Sequence, residues 1–343
     1  MPIATSAQYT AMLDAASAGG WALPSVNATS SQTLIAVLQG LAQARSDGIV
    51  QVTTGGGAYL GGDRKDDPAA AARGAAALAA YAHEVAASFP TLVALHTDHC
   101  TPDLADSFLG PLLERTAARR AAGLGPLFHS HMFDGSMLPL AENLERSAQW
   151  LQRCSELEVI LEVECGVVGG EEDGVHGDTP GSERLYTTND DLLAVADALG
   201  TGERGRYLLA ATFGNVHGVY AAGNVQLRPD ILRSGQEALA AAHPGARFEY
   251  VFHGSSGTPT DQLRETLAYG VVKVNVDTEM QHAFTGGIVA HVRENAEVIG
   301  TLEGAEGKRA FDPRAWGRRA QAAMAERVVG ECEALGCAGR TLA

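Results

Sequence analysis

The chain has 343 residues, and 45% of them are hydrophobic, which is enough apolar material for a packed core. Its formal net charge of −16 disfavours a nucleic-acid partner, because phosphate backbones are bound by basic surfaces. The charge does not exclude small phosphorylated ligands, which single loops and local cations can hold.

No apolar run is long enough to span a bilayer, so we expect no membrane partner. Residues 1–5 lack the basic and apolar regions of a secretion signal. The five cysteines have no zinc-ribbon spacing. These features predict a reduced, cytoplasmic protein.

Predicted helices and strands alternate along the chain, beginning with a helix over residues 7–18. The predicted strands are short apolar runs, and the segments between them have helical composition and spacing. The strands cover residues 21–27, 48–54, 91–95, 126–134, 159–165, 207–213, 248–253 and 270–277. The helices cover residues 31–46, 68–88, 103–121, 140–155, 189–199, 229–242, 258–269 and most of the chain from 278 onward.

This alternation predicts an α/β fold, namely a (β/α)₈ TIM barrel with extra helices at the N- and C-termini. Because no domain-sized break interrupts the pattern, residues 1–343 are predicted to form a single domain. The glycine run at residues 55–57 is predicted to end the second strand. In such barrels the chemistry lies at the carboxyl ends of the strands.

The third strand ends in a cluster of titratable side chains, His96, Asp98 and His99. Alternation along an extended chain puts His96 and Asp98 on one side and His99 on the other. Such a strand end can hold a metal ligand beside a proton-transfer group. The alternative is a capped strand end with one buried, hydrogen-bonded histidine.

Three histidines, His99, His217 and His253, lie at the ends of three different predicted strands. Three neutral imidazole nitrogens leave an open position on a tetrahedral zinc, as catalytic zinc requires. The alternative is three independent, hydrogen-bonded histidines. Asp134 and Glu164 lie at two further strand ends, where they could form a second carboxylate site for the metal or orient the histidines.

Glycine-rich loops follow several strands. The acidic loop at residues 167–175 has glycines on both sides of its carboxylates, which suits a base that moves towards a substrate carbon. A solvated acidic turn is the alternative. Gly254–Gly257 and Asn275–Thr278 follow the seventh and eighth strands, where barrel loops commonly bind phosphate. Plain turns are the alternative there.

These stretches together resemble the class II, zinc-dependent fructose-bisphosphate aldolases, and the similarity runs nearly from end to end. The shared stretches are His96-Thr-Asp-His-Cys100, Leu127-Phe-His-Ser-His-Met132, Gly166-Val-Val-Gly-Gly-Glu-Glu-Asp-Gly174, Phe213-Gly-Asn-Val-His-Gly-Val-Tyr220, His253-Gly-Ser-Ser-Gly257, Val272-Lys-Val-Asn-Val-Asp-Thr278 and Phe311-Asp-Pro-Arg314.

The resemblance implies reversible cleavage of fructose-1,6-bisphosphate to dihydroxyacetone phosphate and glyceraldehyde 3-phosphate, with an enediolate stabilised by zinc on His99, His217 and His253. Glu172 matches the family's proposed base at the carbon that becomes nucleophilic. Asp98 matches the residue that exchanges a proton with the aldehyde oxygen.

The resemblance also implies a set of substrate-binding residues and a monovalent cation, Na⁺ or K⁺. The set comprises Asn27, Thr53, Gly218, Gly254, Ser255, Ser256, Asn275, Val276, Asp277, Thr278 and Arg314. In the family the arginine reaches into a neighbouring subunit and holds the second phosphate. A homo-oligomer, either a dimer or a tetramer, is therefore implied.

The chain departs from the family pattern at the phosphate end. Ala221 stands where the family has a lysine, and Ser255 stands where it has a glycine. The metal and proton-transfer residues are unchanged. An aldolase of a specialised pathway with a different donor or acceptor is therefore the alternative within this class. A metal-dependent hydrolase fits the acidic loop and the two-phosphate layout less well, and a non-catalytic binding protein would not need Asp98 and Glu172.

Overall fold

The computed structural model describes residues 3–64, 66–166, 168, 171–172, 175–176, 185–216, 226–302 and 304–343, with the backbone alone at 171–172 and 175–176. Eight parallel strands close into a barrel in the order β1, β2, β3, β4, β5, β8, β9, β10. They are β1 (Leu23–Asn27), β2 (Gly48–Thr53), β3 (Val93–Asp98), β4 (Ser130–Phe133), β5 (Ile160–Cys165), β8 (Tyr207–Ala211), β9 (Tyr250–Phe252) and β10 (Val271–Val276). A short antiparallel pair, β6 (Glu171–Glu172) and β7 (Val175–His176), lies outside the barrel sheet.

Helices connect the strands, and further helices precede β1 and follow β10 along the chain. They are α1 (Ser6–Gly19), α2 (Ser31–Ala44), α3 (Thr54–Leu60), α4 (Ala70–Val85), α5 (Ala105–Ala121), α6 (Leu140–Ser155), α7 (Asn189–Leu199), α8 (Asp230–Ala242), α9 (Thr260–Ala268), α10 (Thr278–Glu294), α11 (Gly304–Phe311) and α12 (Pro313–Ala334). The predicted barrel is confirmed, with strand ends displaced by a few residues, whereas the single-domain assignment stays a prediction. In the part of the chain described, no helix has the length and apolar character that crossing a membrane requires.

The predicted end of the second strand is confirmed, because β2 ends at Thr53, just before the glycine run. Residues 54–60 then form α3, a helix that was not predicted. The cause is local capping. The hydroxyl of Thr53 accepts a hydrogen bond from the backbone N–H of Gly56 at 2.9 Å. A threonine at this position satisfies one of the N–H groups that a helix start leaves unpaired. The strand therefore continues directly into a short helix.

The N-terminal segment closes the amino end of the barrel through a buried histidine, His129. The N–H of Leu95 donates to Nδ1 of His129 at 2.9 Å, and Nε2 lies 2.6 Å from the carbonyl oxygen of Ala4. These two contacts fix the neutral tautomer with its proton on Nε2. Burial lowers the pKa of His129 to about 4, because the charged imidazole would be desolvated there.

We expect His129 to destabilise the fold as the solution is acidified. The pKa of His129 is lower in the folded than in the unfolded protein. The neutral imidazole therefore contributes fully to the free energy of unfolding above about pH 6.5, and this contribution is lost as the pH falls towards 4. The full effect is about 3 kcal/mol. Urea unfolding of wild type and His129→Gln at several pH values measures it. The difference in unfolding free energy should shrink as pH falls, and a constant difference would contradict the assignment.

Candidate active site

The carboxyl ends of the barrel strands bring together most of the described predicted site residues. Asp98 ends β3, Glu164 lies near the end of β5, and Asn275 lies near the end of β10. His253 follows β9 directly. The rings of His99 and His253 meet edge to face, with centroids 4.8 Å apart. Residues from distant parts of the sequence thus form one cluster at the mouth of the barrel.

His99 enters this cluster through an unusual backbone conformation. Strand alternation puts its side chain on the opposite side from Asp98. In the structure, however, β3 ends at Asp98, and His99 adopts a left-handed conformation with φ of 42°. This conformation is uncommon for a residue other than glycine. It ends the strand alternation at the point where His99 approaches His253.

Each of these two histidines is oriented by carboxylates. Nδ1 of His99 lies 3.0 Å from Oδ2 of Asp134. Nδ1 of His253 lies 3.0 Å from Oε2 of Glu164, and its Nε2 lies 2.9 Å from Oε1 of Glu162. Burial lowers the pKa of His253, but the hydrogen bonds to the two glutamates outweigh it and raise the pKa to about 9.

Three groups among the described residues could hold a metal ion, and one of them, His96, Asp98 and Glu162, is fully buried. The other two overlap at His99. Asp98, His99 and His253 offer ligand atoms within 4.8 Å of one another, and so do His99, Asp134 and Glu164. Imidazole nitrogens and carboxylate oxygens are ordinary ligands of zinc and related divalent ions. The donor set therefore fits a divalent metal. Both roles predicted for Asp134 and Glu164, ligand and orienting group, remain compatible with these contacts.

Asp98 is fully buried and held by amide groups from two other strands. The side-chain amide of Gln51 donates to Oδ2 at 2.8 Å, and that of Asn275 lies 3.1 Å from both carboxylate oxygens. Burial raises the pKa of Asp98, but the neighbouring His99, His96 and Lys273 outweigh it and hold the pKa well below its usual range. Asp98 is therefore an ionised carboxylate with a fixed orientation.

Beneath this cluster lies a charged pair that the sequence reasoning missed. Glu162 in β5 and Lys273 in β10 are both fully buried, with Nζ of Lys273 2.8 Å from Oε2 of Glu162. Nζ also donates to Oδ1 of Asn275 at 2.6 Å. A sequence signal existed, because two-residue alternation puts Glu162 on the same face as Glu164, and Lys273 on the same face as Asn275.

The predicted phosphate loops lie beside this cluster. Ser255 was predicted to bind substrate, and in the structure its hydroxyl donates to the backbone carbonyl of Asn275 at 3.0 Å. The serine thus ties the loop after β9 to the end of β10. Gly254 and Gly257 have positive φ values of 64° and 80°, which favour glycine at both ends of this turn.

The other predicted substrate residues fall into two groups. Asn27 and Thr53 are buried at the ends of β1 and β2, Val276 and Ser256 are also buried, and Thr278 begins α10 directly after Asp277. Arg314, at the start of α12, differs from them in exposure. Its side chain is 81% exposed and pairs with Asp312 at 2.7 Å. It is therefore not one of the contacts that hold the cluster together.

Some predictions lie outside the described residues. His217, Gly218 and Ala221 fall in residues 217–225, and the side chain of Glu172 is also outside the description. The metal-ligand role of His217 and the base role of Glu172 therefore stay predictions.

Imidazoles, carboxylates and amides gather at the carboxyl ends of the strands of a closed (β/α)₈ barrel. This is the arrangement found in enzymes with this fold. The family described as "Fructose-bisphosphate aldolase class-II" matches residues 7–340. The chain belongs to this family, whose members are metal-dependent aldolases and thus carbon–carbon lyases. The family resemblance noted from the motifs is confirmed.

Individual relatives agree with this assignment. The chain is 48% identical over 346 residues to a fructose-bisphosphate aldolase of Corynebacterium glutamicum, and the match covers 99% of each chain. It is 49% identical over 344 residues to one of Streptomyces galbus, covering 100% of both. Among solved structures, a fructose-bisphosphate aldolase of Campylobacter jejuni superposes with a TM-score of 0.86 at 32% identity, covering 99% of this chain and 97% of that one.

Proposed function

We propose that this chain is a zinc-dependent aldolase that reversibly cleaves fructose-1,6-bisphosphate to dihydroxyacetone phosphate and glyceraldehyde 3-phosphate. The observation that carries the proposal is the convergence of Asp98, His99 and His253 at one end of the barrel, with ligand atoms within 4.8 Å of one another. Such a reaction belongs to glycolysis and gluconeogenesis in the cytoplasm. Family membership supports the reaction class.

In this proposal His99, His217 and His253 hold the zinc. When bound, zinc supplies Lewis-acid polarisation of the donor's carbonyl group. Asp134 contacts Nδ1 of His99 and would fix the orientation of that ring. Glu164 lies 3.0 Å from Nδ1 of His253, on the side of the ring assigned to the metal, and is assigned with Asp134 to a second position of the ion. The proposal also includes a monovalent cation, Na⁺ or K⁺, beside the donor phosphate.

Asp98 serves as the base at the hydroxyl oxygen on C4 of the substrate. Its low pKa keeps it ionised, and the amides of Gln51 and Asn275 fix its orientation. In cleavage it accepts the hydroxyl proton as the C3–C4 bond breaks, and in synthesis it returns that proton to the aldehyde oxygen. Glu172 is assigned the proton transfer at C3, which becomes the nucleophilic carbon in synthesis.

The turns that follow β9 and β10 are assigned to the donor phosphate. Backbone N–H groups in glycine-containing turns bind phosphate oxygens, and loops after the last strands of such barrels commonly do so. The second phosphate is assigned to Arg314 of a neighbouring copy. The side chain of Arg314 is exposed, which leaves it accessible to a neighbouring copy and supports this assignment and with it a homo-oligomer.

A cleavage assay tests the proposal. Purified protein, supplied with fructose-1,6-bisphosphate and an enzyme that consumes dihydroxyacetone phosphate, should form product, lose activity with a zinc chelator and regain it when zinc is restored. Substituting Mg²⁺ for zinc in the restoration step tests the choice of metal. Cleavage that survives exhaustive chelation would rule out the metal-dependent assignment.

An altered donor is the second candidate, and the observation that favours it is Ala221 in place of the family's lysine. A charge-assisted hydrogen bond from lysine contributes roughly 1.5–3 kcal/mol, so its loss weakens phosphate binding about ten- to a hundredfold. The lysine is needed for binding and orientation, since polarisation of the carbonyl does not depend on it.

Ala221→Lys is therefore expected to lower KM for fructose-1,6-bisphosphate by about ten- to a hundredfold and to leave kcat nearly unchanged. Steady-state kinetics on wild type and variant measure it, with Ala222→Lys as a control for added charge alone. Ser255 is left unchanged, because its hydroxyl ties the loop to β10. A micromolar KM for the wild type that the new lysine does not alter would exclude the altered donor. No cleavage by either protein would favour the specialised pathway.

A further inference from the structure

Glu162 and Lys273 form an ion pair that the proposed chemistry does not use. Both side chains are fully buried inside the barrel, and Nζ of Lys273 lies 2.8 and 3.1 Å from the two carboxylate oxygens of Glu162. Desolvating two charges is costly, and a buried ion pair is often no more stable than apolar residues of the same size. The contacts that the pair makes with neighbouring residues are therefore a better guide to its role than its own stability.

The carboxylate side of the pair contacts the proposed metal ligand His253. Nε2 of His253 lies 2.9 Å from Oε1 of Glu162, while its Nδ1 faces Glu164 at 3.0 Å. Glu164 itself belongs to the group of possible ligands with His99 and Asp134. Nδ1 is thus on the metal-ligand side of the ring, and Nε2–H points to a carboxylate that already has a cation of its own.

The ammonium side of the pair contacts the proposed acid–base residue through one amide. Lys273 donates to Oδ1 of Asn275 at 2.6 Å. This contact fixes which end of the amide is oxygen, so that Nδ2 of Asn275 faces both oxygens of Asp98 at 3.1 Å. An amide rotated by half a turn would present its oxygen to the Asp98 carboxylate and its N–H group to Lys273.

We propose that Glu162 and Lys273 are positioning residues that connect the two halves of the site. Glu162 holds the ring of His253 so that Nδ1 faces the metal, and Lys273 neutralises Glu162 and orients Asn275 towards Asp98. The inference rests on the proposed function, since it assigns roles relative to that metal and that proton transfer. Histidine ligands commonly donate their second ring N–H to a carboxylate that sets the ring orientation and raises ligand basicity.

Three variants separate positioning from stability. Glu162→Gln keeps the shape but removes the charge, and it should weaken zinc binding on the order of 10–100-fold. Lys273→Met leaves the Glu162 carboxylate buried without its cation, and it should mainly destabilise the fold. Glu162→Gln/Lys273→Met removes both charges and should recover the stability of the metal-free chain.

The double variant separates the two roles. If the pair only stabilised the fold, zinc affinity and kcat would both return to wild-type values once stability is recovered. Positioning predicts that zinc affinity stays on the order of 10–100-fold weaker and that kcat, measured with saturating zinc, stays 10–100-fold lower. Zinc affinity is measured by competition with a chromophoric chelator, and stability by urea unfolding of the zinc-free protein.

Glu249→Gln is the matched control. Glu249 lies immediately before β9, the strand that leads to His253, but at its opposite end. It is also paired with a cation, since Nε of Arg206 donates to it at 2.7 Å. The same change of carboxylate to amide should lower stability there and leave zinc affinity unchanged.

The outcomes distinguish this inference from the proposed function. A double variant with wild-type zinc affinity and kcat, in a wild-type chain that binds zinc and cleaves the substrate, overturns the inference alone. A wild-type chain that binds zinc but cleaves nothing overturns the proposed function, and the zinc affinities of the variants still decide the role of Glu162. A wild-type chain that does not bind zinc overturns both.

Discussion

Asp98→Ala is expected to lower kcat for fructose-1,6-bisphosphate cleavage by on the order of 10²–10⁴-fold. Slow exchange with solvent should continue at the hydroxymethyl carbon of dihydroxyacetone phosphate, which corresponds to C3 of the bisphosphate. The carboxylate is positioned for an oxygen proton, because it is buried and held by Gln51 and Asn275. Exchange at carbon needs the metal and a different base, so it does not require Asp98. Coupled cleavage kinetics and proton NMR of dihydroxyacetone phosphate in heavy water measure the two steps.

Glu172→Ala is the complementary variant and should suppress the exchange. Gln51→Leu serves as a control, because it removes one amide contact to Asp98 without removing the carboxylate, and its effect on cleavage should be smaller. If Asp98→Ala and Glu172→Ala impaired cleavage and exchange in the same ratio, separate proton-transfer roles would be excluded. Unaffected exchange in Glu172→Ala would remove it as the base.

Much of the site was predictable because parallel strands end on one face of a barrel. Asp98 and Asn275 are separated by 177 positions in the sequence, yet their side chains meet because both lie near strand ends. The apolar runs that form the strands are easily recognised. Barrel closure then brings their ends together without any further information.

Other features depend on local backbone and on pairing across strands. The position of His99 depends on a left-handed residue that ends β3, and alternation alone puts the ring on the wrong side. Glu162 and Lys273 were missed because each looks like an isolated charge in an apolar strand. In the structure both are buried, and each neutralises the charge of the other. Propensity and pattern do not reveal which buried charges will meet.

The metal ligands are expected to show the second large effect. His99→Ala, His217→Ala and His253→Ala should each strip zinc and abolish cleavage, because losing one of three protein ligands leaves too few for a catalytic site. Zinc content after dialysis, measured by elemental analysis, and cleavage rate should fall together. His83→Ala is the matched control, since this half-buried histidine contacts the carbonyl oxygen of Leu127, away from the cluster.

The structure also predicts how the folds of these variants will respond. After His253→Ala, Glu162 still pairs with Lys273, and after His99→Ala, Asp134 still accepts hydrogen bonds from the N–H and the hydroxyl of Ser136. These two carboxylates keep a partner, whereas Glu164, which is 3% exposed and lies 3.0 Å from Nδ1 of His253, loses that contact in His253→Ala. His253→Ala should therefore be the less stable of the two variants. Circular dichroism should show folded, zinc-free protein for both, with the lower melting temperature for His253→Ala. Full zinc occupancy in all three alanine variants would exclude the three-histidine site, and an unfolded His253→Ala would show that its imidazole stabilises the fold in a way that the pair beneath it cannot replace.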